Sequence, residues 1–144
     1  MHFRGGLRPR NVTIEAAGRT RLSSRLLAVD IEPTAILKLN DNLKRKGISN
    51  VDPRVASIHN LTFPSNAFDR TFTIAVMGEL PDKVKALIEI KRVLTDDELL
   101  AIGEFLPDPG YPRRKTVISW CGKADFKLMK ECGGILHPCK TCSC

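Results

Sequence analysis

The chain has 144 residues, long enough for one domain with a hydrophobic core and too short for two ordinary domains. Its 42% hydrophobic and 27% charged residues are typical of soluble globular proteins, and no apolar run approaches the roughly 20 residues that span a bilayer. Because the N-terminus has arginines but no apolar signal segment, we expect a cytoplasmic protein. The net charge of +7 lies mostly in residues 1–25.

Residues 1–25 form a basic segment with little hydrophobic periodicity. Val12–Ile14 predicts a short strand, and Glu15–Thr20 predicts a turn after it. The arginines of this segment would suit nucleic acid or anionic lipid. We favour a solvated, poorly ordered arm, because no aromatic residue lies between Arg8 and Arg25 to stack on bases.

The run Leu26–Asp30 organises the rest of the chain. Four apolar residues followed by an acid predict a strand buried on both faces, as in a parallel sheet. Asp30 would end that strand, at the edge where open α/β sheets bind ligands, and its carboxylate would suit the hydroxyls of a ribose. The alternative is an acid that caps the helix that follows.

Strands and helices alternate after this run. Pro33 opens an amphipathic helix that carries Ile36, Leu39 and Leu43 on one face, and Gly47 ends it. We expect further strands at 54–58, 71–76, 99–105 and 126–130, further helices after Pro81 and around 117–124, and a turn at 95–97. This alternation predicts a mostly parallel, three-layer α/β sheet.

Four stretches in order resemble the class I S-adenosylmethionine-dependent methyltransferases, and within them the ubiquinone/menaquinone-biosynthesis-type C-methyltransferase branch. Residues 28–33 resemble the second-strand motif of that family, and residues 60–69 resemble its LPFPDNSFD segment. Residues 87–94 resemble its ALREIYRVLKPGG helix, and residues 103–109 resemble the strand and loop that follow. The resemblance implies a Rossmann-like methyltransferase fold and S-adenosyl-L-methionine as cofactor.

The resemblance also implies roles for individual residues. Asp30 matches the acid that binds the ribose hydroxyls, and Ile31 and Glu32 match positions that lie against the adenine. Ser57 matches a position, often Asp in the family, that contacts the adenine amine, and Ile58 follows it on the same loop.

Val76 lies in the match to the end of the fourth strand, which faces the methionine part of the cofactor and the substrate. Glu79 and His59 are candidates for catalysis. A carboxylate at a strand end such as Glu79 is equally often just solvated, and His59 lies in a loop with no visible carboxylate partner, so no catalytic residue is assigned. Methyl transfer from a sulfonium depends on alignment more than on a base. The acceptor is unknown; we favour a small molecule over nucleic acid, and the oligomeric state stays open.

One family motif is not found. The glycine-rich E/D-x-G-x-G-x-G loop has only Glu15–Gly18 as its best match, and the interval to Asp30 is short for a loop, a helix and a turn. We therefore expect an N-terminally truncated or divergent methyltransferase, incomplete at the first strand and the glycine motif. Its function would be S-adenosylmethionine-dependent methyl transfer, impaired by that loss; the alternative is a non-catalytic remnant or interaction domain.

These observations divide the chain into a basic segment at 1–25, a methyltransferase-like α/β domain at 26–133 and a Cys-rich tail at 134–144. Cys139 and Cys142 have the C-x₂-C spacing of zinc sites, and Cys132, His137 or Cys144 would complete four ligands. Because there is only one such pair, we favour a thiol tail without a metal. The basic run Arg113–Lys115 would suit an acidic substrate, or would be solvated.

Overall fold

The computed structural model describes residues 1–4, 12–19, 24–104, 112–132 and 139–143. The described strands are β1 (His2–Arg4), β2 (Leu26–Asp30), β3 (Val51–Val55), β4 (Phe68–Ile74), β5 (Leu94–Gly103), β6 (Lys127–Cys132) and β7 (Cys139–Ser143). The described helices are α1 (Val12–Arg19), α2 (Pro33–Arg45), α3 (Lys83–Val93) and α4 (Arg114–Lys123). None of these helices has the length and apolar character needed to cross a bilayer.

The described strands form one sheet in the order β3-β2-β1-β4-β5-β7-β6. Strands β1 to β5 pair in parallel, and β7 runs antiparallel to its neighbours β5 and β6. The mostly parallel sheet expected from the alternation of strands and helices is therefore confirmed. Strands β1 and β7 fall within the segments 1–25 and 134–144, so the described parts of both segments include a strand of the sheet.

Strand β1 is central, and the expectation that the first strand is incomplete or missing is wrong. His2 pairs with Ala28 of β2 on one side and with Phe72 of β4 on the other. Met1 extends this contact, because its carbonyl accepts a hydrogen bond from the Phe72 N–H at 2.9 Å and its side chain is buried. Three residues suffice here because both of their backbone edges are paired.

Over residues 12–19, helix α1 replaces the predicted strand and turn; the last residue of the predicted turn, Thr20, lies outside the described residues. Thr13 and Ala17, four residues apart, are both buried, and Ile14 packs against the cluster that contains Leu39 and Leu43. The β-branched run at 12–14 favours an extended backbone locally, but burial of one helical face overrides that preference. Glu15–Gly18 lies within this helix, so it is not the glycine loop of the family.

The elements around Asp30 follow the sequence prediction. All five residues of β2 are buried, as expected for a strand covered on both faces. Helix α2 begins with Pro33 at its first turn and buries Ile36, Leu39 and Leu43. Gly47 ends the helix with φ of +65°, a conformation that a residue with a Cβ rarely adopts.

Helices cover both faces of the sheet. Ala28 packs in a cluster with Leu39 and Leu43 of α2, whereas its neighbours Leu27 and Val29 belong to the main core. That core also contains residues of α3 and α4, which lie on the opposite face from α1 and α2: Ala86, Leu87, Ile90, Val93, Val117 and Cys121. The three-layer arrangement is confirmed, because side chains alternate between the faces along β2.

The turn predicted at 95–97 is wrong, since α3 passes directly into β5. Leu94 caps α3 in an extended conformation and is buried at the start of β5. Strands β3 and β4 begin three residues earlier than predicted, at Val51 and Phe68. Asp52 in β3 and Asp69 and Arg70 in β4 interrupt the apolar pattern near these strand starts, so that pattern alone does not reveal them.

An ion pair on α3 fixes the loop that precedes β4. Arg92 Nη2 lies 2.7 Å from Glu89 Oε1, and the guanidinium also donates to the carbonyls of Leu61 and Phe63 at 2.8 and 2.9 Å. Glu89 Oε1 accepts the Leu61 N–H at 2.9 Å. The hydrogen bond from Arg92 lowers the pKa of the Glu89 carboxyl, and the same bond raises the pKa of Arg92.

We expect Glu89→Gln to lower the free energy of unfolding at neutral pH and to cost less at acid pH. The pKa of Glu89 is lowered in the folded state, so its charged form contributes stability that is complete above the usual value of 4.5 and is lost as the pH falls through the folded value. Urea unfolding of both proteins at about pH 7 and about pH 3 measures the difference. A stability difference between the two proteins that does not change with pH would contradict this assignment. The control is Asp41→Asn, at an exposed position on α2.

We expect Thr73→Val to raise the free energy of unfolding by about 1 kcal/mol, because an unpaired buried hydroxyl costs more than it contributes. Thr73 is fully buried in β4, and its Oγ1 has no hydrogen-bond partner among the described residues. Thr95→Val is the matched control: Thr95 Oγ1 donates to the Phe68 carbonyl at 3.4 Å, so this variant gains nothing. Urea denaturation with an unchanged m value measures the stability of both variants. A loss of stability in Thr73→Val would refute the prediction.

Candidate cofactor site

The carboxyl ends of β1 to β5 lie at one edge of the sheet, because these strands are parallel. In an open α/β sheet this edge is where ligands bind. The residues singled out in the sequence lie at or directly after the ends of β2, β3 and β4: Asp30, Ile31, Glu32, Ser57, Ile58 and Val76. The fold therefore brings them to one edge, with β1 between the end of β2 and the end of β4.

Asp30 is a buried carboxylate with one oxygen available. Its side chain is 5% exposed, and its Oδ1 accepts the Glu32 N–H at 2.9 Å. Its Oδ2 has no hydrogen-bond partner in the part of the chain that the structure describes. Buried polar atoms in proteins are generally paired, so this oxygen fits a ligand that brings its own donor, such as a ribose hydroxyl. The turn contact through Oδ1 is compatible with that role.

Ile31 and Glu32 follow Asp30 but differ in their surroundings. Ile31 is 70% exposed, an unusual exposure for a large apolar side chain beside a buried acid. Val55, the register partner of Asp30 at the end of β3, is also exposed. The Glu32 carboxylate caps α2 by accepting hydrogen bonds from the backbone and hydroxyl of Thr34. A contact of Ile31 or Glu32 with adenine stays a prediction.

The loop after β3 carries the other residues expected near the adenine. Ser57 Oγ accepts the His59 N–H at 3.3 Å, and the Ser57 carbonyl accepts the Asn60 N–H at 3.1 Å. Ile58 is buried in the main core. His59 Nε2 lies 2.9 Å from the carbonyl of Asp82, so this ring tethers the loop to the start of α3. That contact favours a structural role for His59 over the role of general base.

A tight turn follows β4. Ala75 has φ of 55°, in the left-handed region that residues with a Cβ adopt only at some cost. Its N–H donates to the carbonyl of Gly103 at 2.8 Å, which joins the ends of β4 and β5. Val76 is buried, and its carbonyl accepts the Glu79 N–H at 3.0 Å. The role of Val76 toward a cofactor and that of Glu79 in catalysis stay predictions.

The N-terminus of one helix near this edge carries basic residues. Helix α4 follows β5, so it begins at the same edge, and Arg113, Arg114 and Lys115 at its start are exposed. Cations are unfavourable at a helix N-terminus, so these residues are not explained by helix stability. Their contact with an acidic substrate stays a prediction. Among the described residues no group of three His, Cys, Asp or Glu side chains could hold a metal ion, and His137 and Cys144 lie outside those residues.

Two features of the site were missed in the sequence. Val55 ends a strand whose apolar pattern is weak. Glu104 follows the last residue of β5 and is 5% exposed. It repeats the pattern that singled out Asp30, an acid directly after a buried apolar strand, so the same rule applied to Leu99–Gly103 would have found it.

A family model described as "Methyltransferase domain" matches residues 11–102. The ubiquinone/menaquinone biosynthesis C-methyltransferase of Hydrogenovibrio crunogenus is 32% identical over 112 residues, which cover 69% of this chain and 44% of that protein. An uncharacterized methyltransferase of Schizosaccharomyces pombe is 44% identical over 57 residues, which cover 40% of this chain and 20% of that protein. The chain thus spans less than half the length of the curated relatives it matches.

A similar solved structure is that of an S-adenosylmethionine-dependent methyltransferase from Aquifex aeolicus. It superposes with a TM-score of 0.85 at 16% identity and covers 99% of this chain and 79% of that one. At this identity the likeness bears on the fold, and the fold is the Rossmann-like one expected from the sequence. The family model covers more than half of the chain and crosses residue 25, so the match includes α1. The chain belongs to the methyltransferase domain family, with the class I S-adenosylmethionine-dependent methyltransferase fold.

Proposed function

We propose that this chain binds S-adenosyl-L-methionine at the carboxyl edge of its sheet and transfers the methyl group to a small-molecule acceptor. The observation that carries the proposal is the buried Asp30, whose Oδ2 has no partner among the described residues. A ribose supplies two neighbouring hydroxyl donors, and a carboxylate is a pure acceptor. The hydroxyl donors of a ribose and the unpaired Oδ2 of Asp30 are therefore complementary.

The surroundings of Asp30 support the orientation of the cofactor. Ile31 and Val55 place exposed apolar surface at the ends of β2 and β3, where a flat adenine ring would be covered. The polar aminocarboxypropyl arm would then extend in the other direction, across β1 toward β4. That path crosses two strand spacings, about 10 Å, from the end of β2 to the end of β4.

The lack of a glycine motif at Glu15–Gly18 does not argue against this proposal. The connection between β1 and α1 comprises residues 5–11, which lie outside the described residues and include Gly5 and Gly6 in the sequence. In Rossmann-like sheets the glycines that permit close approach of a cofactor belong to this first strand–helix connection. The interval from Glu15 to Asp30 therefore does not have to accommodate them.

The side chains named above would bind and align rather than exchange protons. The cofactor, when bound, supplies an electrophilic methyl group on a positively charged sulfur. Asp30 would fix the ribose, the apolar surface at Ile31 would exclude water from the adenine, and the turn at Val76 would border the reacting end. Holding donor and acceptor in line would remove a large part of the activation barrier to such a transfer.

A small-molecule acceptor is proposed because the Hydrogenovibrio relative acts in ubiquinone and menaquinone biosynthesis. A cytoplasmic location belongs to the same proposal, since the five cysteines, an odd number, suit a reducing compartment. Nucleic acid as acceptor has weaker support, because part of the basic segment 1–25 forms β1 and α1.

The first test is calorimetric titration with S-adenosylhomocysteine, the demethylated product. We expect micromolar binding that Asp30→Ala weakens at least tenfold, or about 1.4 kcal/mol, because the ribose loses its acceptor. Asp41→Ala, an exposed acid on α2, is the matched control and should bind like the wild type.

Asp30→Asn separates binding from folding. It keeps the size of the side chain but removes a buried charge, so we expect equal or greater stability together with weaker binding. No binding by a wild-type chain that circular dichroism shows to be folded would refute the proposal and leave a non-catalytic remnant or interaction domain.

A further inference from the structure

Glu104 joins the ends of two neighbouring strands at the candidate site. It follows Gly103, the last residue of β5, and its side chain is 5% exposed. Its Oε1 accepts the backbone N–H of Met77 at 3.2 Å. Met77 lies beyond the end of β4 and is fully buried. A carboxylate directly after β5 therefore holds the backbone of the turn that follows β4.

That turn is held at two points, Ala75 and Met77, and its backbone is strained at the first of them. The Ala75 N–H donates to the Gly103 carbonyl at 2.8 Å, and Ala75 adopts φ of 55°. A left-handed alanine persists only where the surroundings over-determine it. The bond from Met77 to Glu104 is the second restraint, two residues further along. Without it, the Ala75 strain has less to oppose it, and Val76 between the two restraints would relax.

The position of this turn relates it to one end of the proposed cofactor. Asp30 and the exposed apolar surface of Ile31 and Val55 lie on the far side of β1, at the ends of β2 and β3. Adenosine binding there would leave the turn after β4 beside the aminocarboxypropyl arm. A group that orders this turn would affect recognition of that arm and not recognition of adenosine.

We propose that Glu104 is a positioning residue: its hydrogen bond to Met77 orders the turn at Ala75–Glu79 so that the site recognises the amino-acid arm of the cofactor. The inference rests on the proposed cofactor site. It assigns to Glu104 an action through the backbone of Met77 and no contact with the methyl acceptor. The carboxylate is needed as a hydrogen-bond acceptor, so a glutamine in its place would suffice.

The test compares two probes, S-adenosylhomocysteine and 5′-methylthioadenosine, which has the same adenosine and thioether but lacks the amino-acid arm. Glu104→Met keeps the length of the side chain and removes the acceptor; an apolar group in place of a buried carboxylate is compatible with folding. We expect this variant to bind S-adenosylhomocysteine at least about tenfold more weakly and to bind 5′-methylthioadenosine within about twofold of the wild type.

Two further variants make the result specific. Glu104→Gln should restore binding of S-adenosylhomocysteine, because its amide oxygen still accepts the Met77 N–H. Asp30→Ala should weaken both probes alike, because both carry the ribose. A purely structural role for Glu104 would lower the affinity for both probes together, and that result would overturn the inference, as would unchanged binding in Glu104→Met.

Hydrogen exchange at the Met77 amide gives a readout that does not depend on the cofactor. We expect faster exchange in Glu104→Met and wild-type protection in Glu104→Gln, since only the former loses the acceptor. A wild-type chain that binds neither probe would refute the proposed function, and this inference with it. Binding of both probes with unchanged Met77 exchange in Glu104→Met would refute the inference alone.

Discussion

The two-sided backbone pairing of β1 is the constraint on which the rest of the structure depends. Only three residues, His2–Arg4, connect β2 and β3 on one side with β4 and its neighbours on the other. Without them the sheet would have two open edges in its centre, and buried backbone groups there would lose their partners. The burial of Met1 in the main core ties this strand to α3 and α4 as well.

The same pairing sets the scale of the site. Because β1 separates β2 from β4, the carboxylate at the end of one and the turn at the end of the other are two strand spacings apart. One elongated ligand can reach both, whereas a compact one cannot. An apolar surface lies at one end of this span, beside Asp30, and a backbone turn held by Glu104 lies at the other. The two ends therefore suit chemically different parts of a single ligand.

The sequence was informative where a local pattern and burial agree. The run Leu26–Asp30, the helix from Pro33 and the stripe of Ile36, Leu39 and Leu43 were predictable because each is buried in the way that its periodicity implies. Strand β1 was not, because three residues carry no periodicity and are extended only through partners at Ala28 and Phe72. Tertiary packing determines the secondary structure of residues 12–14, where local preference predicts a strand.

Site residues were predictable to the extent that they lie directly after a buried strand. Asp30 met that rule. Glu104 also meets it, but the strand was predicted to continue to residue 105, which placed Glu104 within the strand rather than after it. Both carboxylates are about 95% buried, and burying a charge costs free energy that apolar side chains of similar size would not. Neither residue is needed to complete the hydrophobic core. The free-energy cost of burying both carboxylates is explained if both serve one site, Asp30 through direct contact and Glu104 through the backbone of Met77. Functional sites commonly contain residues that lower the stability of the fold but are needed for binding.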